Sequence, residues 1–222
     1  MRPVLQLVTV LAMLLPALGQ QIIDRVIVVV NGQVITQSDW DEQERFEALA
    51  EGQPPNDIQH SPAALERLID RVLLLQQMAQ LNFRPPAPEL VQEELDSVRK
   101  QLPRAQTSTP EAWHHTWAAY GFPEEDFSRM VAERANVARF IDVRFRSNLR
   151  VAPFETENYY RDVFVPEFRK ASPGRTPPPL KQVQDKIQQI VVEQRVNEQL
   201  NSFVQSLRSQ AVIRRVTVIT KK

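Results

Sequence analysis

The chain of 222 residues contains no cysteine. It therefore carries no disulfide and no thiol-linked lipid, and cysteine nucleophiles and cysteine-based zinc sites are excluded. Its stability must come from packing. Glycine is nearly as scarce, with five residues, too few for phosphate-cradling loops, and the Walker, GxGxxG and GxSxG patterns are absent. The three histidines are His60, His114 and His115. Neighbouring residues on a helix point about 100° apart, so His114 and His115 do not form the i,i+4 metal pair of an HExxH site. They read as a polar pair beside two tryptophans. An excess of one charge is also missing. Lys+Arg and Asp+Glu number 27 each, so no net field recruits nucleic acid or an anionic membrane surface. The acidic runs Glu42/Glu44/Glu47 and Glu124/Glu125/Asp126 read as solvated helix faces. No catalytic residue, metal or cofactor is expected, which leaves a binding or structural protein rather than an enzyme.

Aromatic residues make up 7% of the chain and proline contributes 17 residues, while 42% hydrophobic composition is enough for a true core. This balance predicts a mainly α fold, helices punctuated by prolines. Residues 1–19 have the layout of a cleaved export signal: Arg2, an apolar run from Val4 to Leu15, Pro16, then small residues at Ala17 and Gly19. The run is shorter than the roughly 20 residues of a spanning helix, so no stable membrane insertion is expected after cleavage. Removing residues 1–19 takes away only Arg2, and the near-neutral balance survives.

Asn31-Gly32 between Arg25–Val30 and Gln33–Thr36 is the dipeptide best suited to a tight hairpin turn. Thr36 or Ser38 then caps a helix to about Ala50. Ser61-Pro62 opens a second helix with Leu65, Leu68, Ile69, Val72 and Leu75 in helical period and Leu73, Leu74 and Met78 widening the stripe, as a central core helix would. A third carries Val91, Leu95, Val98 and Leu102. Thr109-Pro110 opens a short helix with Trp113, Trp117 and Tyr120 on one face, terminated by Gly121. Pro123 begins a long helix to about Ser147 with Phe127, Met130, Val131, Val137, Ala138, Ile141 and Phe145 facing inward. Val151–Pro153 begins another segment through Tyr159-Tyr160. Residues 164–179 lack periodicity and read as a linker. Leu180 to about Ser209 is a long helix, and Ala211–Thr220 a strand. A lone terminal strand needs a partner, and the only other strands lie at 25–36, so the two ends of the chain are expected to meet in one small sheet.

These segments, in this order, resemble a known family. IIDRVIVVVNGQVITQSDWDEQ, ALERLIDRVLLLQQMAQ, AAYGFPEEDFSRMVAERANVARFI and VAPFETENYYRDVF are similar to the N-terminal chaperone domain of SurA-like and PrsA-like proteins. The resemblance spans roughly residues 22–164, and the segment from Pro179 to Val216 resembles the part that returns to complete that domain. It implies a signal peptide at 1–19, the N-terminal part of the chaperone domain at 20–163, a linker at 164–179 and a completing helix and strand at 180–222. The family places one or two parvulin prolyl-isomerase domains where this chain has only the linker, and no histidine follows His115, so isomerase activity is not carried over. What the resemblance implies is an ATP-independent periplasmic holdase for unfolded exported polypeptides, chiefly outer-membrane β-barrel precursors.

Trp113, Trp117, Tyr120 and Phe122 are the densest aromatic cluster in an aromatic-poor chain, and with the adaptable Met78 and Met130 they are the candidate polypeptide-binding residues. Core packing is the competing explanation for each. The alternative function is a structural scaffold assembling through the long C-terminal helix, although its apolar spacing shifts phase between Val191 and Val196. Exchange of that helix between two copies would give a homodimer.

Overall fold

The computed structural model describes residues 24–55 and 60–216. The export-signal reading of residues 1–19 and the end of the expected C-terminal strand lie outside them. The fold is mainly helical with one small antiparallel sheet.

Strands β1 (Val26–Val30) and β2 (Gln33–Thr36) form the hairpin. Asn31 and Gly32 adopt φ of 51° and 88°, the positive values that a two-residue turn requires at both central positions. Strand β3 (Ile213–Arg215) pairs antiparallel with the other edge of β1, with Val30 opposite Ile213 and Val28 opposite Arg215. The sheet order is β2-β1-β3, so the two ends of the chain do meet in it. Asn31 fastens the corner: its N–H donates to Val212 O at 2.9 Å and its Oδ1 accepts from Val212 N–H at 2.8 Å.

Helix α1 (Gln37–Ala50) is capped by Thr36, not Ser38. Asp39 N–H donates to Thr36 Oγ1 while Asp39 Oδ2 accepts from Thr36 N–H, a reciprocal capping box. Helix α2 (Pro62–Gln80), capped by Ser61, is the central helix. Leu65, Leu68, Ile69, Val72 and Leu73 pack against Val28, Val30 and Ile35 of the sheet. Its last turns turn Leu74 and Met78 to a second cluster with Phe140 and Val204. One helix thus serves two cores, which is why its apolar stripe is wide.

Helices α3 (Pro88–Lys100), α5 (Pro110–Ala119) and α6 (Glu124–Ile141) build a third cluster against α1, while the short α4 (Arg104–Thr107) between α3 and α5 buries no residue. The α1–α2 connection is drawn close to this unit at Gly52, where φ is +69° and an added Cβ would stand 2.7 Å from Gln101 O. Helix α6 ends in a π-turn, Asp142–Arg146. The extra residue keeps Phe140 and Phe145, five apart, both buried, with rings 6.5 Å apart. Ala138, expected to face inward, is exposed, because the buried face of α6 runs through Val131, Ala135 and Phe140.

The linker expected at 164–179 is shorter than the sequence suggests. Helix α7 (Pro153–Tyr159) runs through a second π-turn, Tyr160–Phe164, into α8 (Val165–Ala171). Pro166 sits directly after that turn, where Val165 N–H bonds Tyr160 O and the backbone already departs from the α pattern that a proline would break. Tyr160, Phe164 and Phe168 are spaced four apart, the first two rings stacked at 5.6 Å and the last two tilted at 6.0 Å. Only residues 172–179 are irregular. Helix α9 (Leu180–Gln210), 31 residues long, returns along α7, the first π-turn and α2. It buries Ile187, Val191, Val196 and Val204.

Candidate polypeptide-binding cleft

An open cleft of about 590 Å³ lies between α3, α5 and α6. Each wall follows from local sequence. Val91, Leu95 and Arg99 recur every four residues along α3 and so share one face of it. Only Val98 of that helix is buried, while Val91 and Leu95 remain partly open. Thr109 caps α5 by accepting from Ala112 N–H at 3.1 Å, with Pro110 in the first turn. That register turns Trp113 and Trp117, four apart, toward α6. From α6 come Glu124, Phe127, Ser128 and Val131.

The floor is aromatic. Phe127 stacks on Trp117 with centroids 5.2 Å apart and planes 3° from parallel, and meets Trp113 edge-on at 5.6 Å. Trp113 and Trp117 are 6% and 5% exposed, so they form the base of the cleft rather than projecting into it. The Arg99 guanidinium lies 5.0 Å from the Trp113 ring centre, a cation–π contact that covers one end of the floor. His114 meets Trp117 at 4.5 Å. His114 and His115 are exposed, with rings 6.0 Å apart at 82°. Among the described residues no group of His, Asp and Glu is arranged to hold a metal ion.

The six residues singled out from sequence do not form one surface. Trp113 and Trp117 line this cleft. Tyr120 lines a separate one of about 400 Å³ beside Pro54 and Pro55, where its hydroxyl donates to Gln53 O and burial holds its pKa above the usual phenol value. Phe122 is enclosed, edge-on to Phe46 at 6.2 Å and under the Arg45 guanidinium. Met130 packs beneath Arg71, whose two terminal nitrogens lie 3.5 Å from its sulfur. Met78 belongs to the α2–α6–α9 core. All six are buried.

The cleft residues that sequence reasoning did not single out are Val91 and Leu95, which pack partly buried against the aromatic cluster and also line the cleft. The available signal was α3 itself, whose apolar stripe is narrow and flanked by charge, as on a helix covered on one side only. Among the described residues no helix is long and apolar enough to cross a membrane. No protein-family model matches the chain, and no curated protein matches it.

Proposed function

We propose that the chain is an ATP-independent periplasmic holdase, which binds unfolded exported polypeptides, outer-membrane β-barrel precursors foremost, in the cleft between α3, α5 and α6. The observation that carries this reading is the open apolar cleft with its aromatic floor of Trp113, Trp117 and Phe127. Its volume falls in the range of roughly 300–1,000 Å³ typical of ligand sites, so it accommodates a few side chains rather than a folded element. Burying an apolar side chain contributes about 1.5–3 kcal/mol, and ordering a flexible segment takes back much of that gain. Contact with two or three side chains therefore gives weak, reversible capture, as a holdase that must release its client requires. A precursor with alternating apolar strands aggregates through exposed edges and faces, and shielding such segments prevents it.

The meeting of both chain ends in one sheet is what the SurA-like resemblance implies for the fold, and it supports carrying that family's chaperone function to this chain. Prolyl isomerisation stays outside the proposal, because the irregular segment 172–179 has no room for a catalytic domain. A scaffold assembling through α9 is the weaker alternative: Ile187, Val191, Val196 and Val204 are turned into this chain's own core, leaving no sustained seam for a second helix.

Light scattering from a refolding β-barrel protein without ATP tests the proposal. Suppression by near-stoichiometric amounts of the chain is expected. Scattering unchanged at a several-fold excess of chain over client would move the reading to the scaffold.

A further inference from the structure

Among the described residues, the rim of the cleft carries two carboxylates with no cationic partner. Glu111, in the first turn of α5, and Glu124, the first residue of α6, both line it, and both are exposed. The ion pairs nearby are Arg99–Asp96 at 3.4 Å, Arg134–Glu94 at 2.6 Å and Arg129–Asp126 at 3.5 Å, and none includes Glu111 or Glu124. Arg99 is the one lysine or arginine among the lining residues. It is paired with Asp96 and lies over Trp113. The remaining polar lining groups are His114, His115 and Ser128. Each carboxylate stands at the positive end of a helix dipole, but that end carries only roughly half an elementary charge and its effect fades within a turn. A net negative field remains at the mouth of an apolar cleft.

We infer that the occupant is an apolar segment flanked by lysine or arginine, its apolar side chains on Trp113, Phe127 and Leu95 and its flanking cations beside Glu111 and Glu124. This inference rests on the holdase reading and names the client chemistry that the same cleft selects. A neutral protein with a locally acidic rim discriminates among segments of equal hydrophobicity by the charge beside them, since exposed charges govern encounter and specificity more than total affinity. Segments flanked by Asp or Glu meet like charge and are disfavoured.

The test uses the full chain and three fluorescent peptides sharing one apolar core, flanked by Lys, Ser or Glu, in anisotropy titrations at low and high salt. At low salt the Lys-flanked peptide is expected to bind roughly three- to tenfold tighter than the Ser-flanked one, the range that two exposed ion pairs supply. The Glu-flanked peptide is expected to bind weakest. Salt should compress the series, and the E111Q/E124Q double variant should abolish the differences while still binding the Ser-flanked peptide. Equal binding of all three, or a preference that persists in the double variant, overturns the charge inference and leaves the holdase reading standing. Binding of none overturns both.

Discussion

Arg208 in the last turn of α9 and Asp70 in the middle of α2 lie 138 residues apart and share a charge-assisted hydrogen bond. The same guanidinium donates to the Glu66 carboxylate and to Glu66 O, both at 2.9 Å, and Arg215 of β3 reaches the other Glu66 oxygen. The C-terminal segment is thus fastened to the central helix by its charges as well as by the sheet. The Arg208 side chain is 20% exposed, with Asp70 and Glu66 at 31% and 38%, so the network is partly screened. Arg208→Met is expected to lower the unfolding free energy by about 1–2 kcal/mol, read from urea denaturation with unchanged slope.

The clasp also sets a response to acid. Burial alone would raise the Glu66 pKa, but the hydrogen bonds from Arg215 and Arg208 outweigh it and hold the group below the ordinary glutamate value. A carboxylate with a depressed folded-state pKa contributes stability that is fully present above its unfolded value, about 4.5, and is lost as the pH falls through the lower folded value. Denaturation midpoints of the wild type should therefore fall more steeply below pH 4.5 than those of Glu66→Gln. Parallel curves would show that Glu66 does not carry this linkage.

Removal of residues 181–222 deletes nearly all of α9 and all of β3. The loss exposes Leu74, Met78 and Phe140 and leaves β1 with an unpaired edge. The truncated chain is expected to lose its cooperative thermal transition, and an unchanged melting curve would contradict the shared sheet as a structural necessity.

Among the glycines of the described residues, Gly52 is the one where backbone crowding and a left-handed conformation coincide. Gly52→Ala places a Cβ against Gln101 O at the end of α3, at a φ of +69°. Both effects are unfavourable, and a loss of at least about 1 kcal/mol is expected. Because Gln101 terminates the helix that carries Val91 and Leu95, the substitution is also expected to weaken client binding. Calorimetry and scattering measured on the same preparation separate the two effects.

The candidate residues are separable by experiment. Met78, 2% exposed in the α2–α6–α9 core, should cost about 2–5 kcal/mol when changed to alanine without altering client binding by the folded fraction. Val91 is only partly covered. Val91→Asp should leave the melting temperature within a few degrees of wild type and reduce suppression of client aggregation several-fold. The reverse pattern would place the binding surface elsewhere.

Much of the scaffold was legible before the structure. Asn31-Gly32 declared the hairpin, Ser61-Pro62 and Thr109-Pro110 the helix starts, and the lone terminal strand required a partner that only β1 supplies. The site was less legible. Aromatic density picked out Trp113 and Trp117, but it gave Tyr120 and Phe122 the same weight, and whether a ring floors a cleft or fills a core depends on which distant helix packs over it. The segment from Phe164 to Ala171 was hidden because proline and glycine nearby suggested a break. The four-residue spacing of Tyr160, Phe164 and Phe168 was the signal for the helix, and a π-turn makes room for Pro166.

The most direct test of client capture places a photo-crosslinking amino acid at position 91, in the cleft wall, or at position 194, on the exposed face of α9. Each variant is irradiated with an unfolded β-barrel precursor and then with the same protein folded. Strong crosslinking from position 91 to the unfolded precursor only, with little from position 194, is the result the cleft predicts. Equal yields from the two positions, or none from position 91 while the chain still suppresses aggregation, would contradict it.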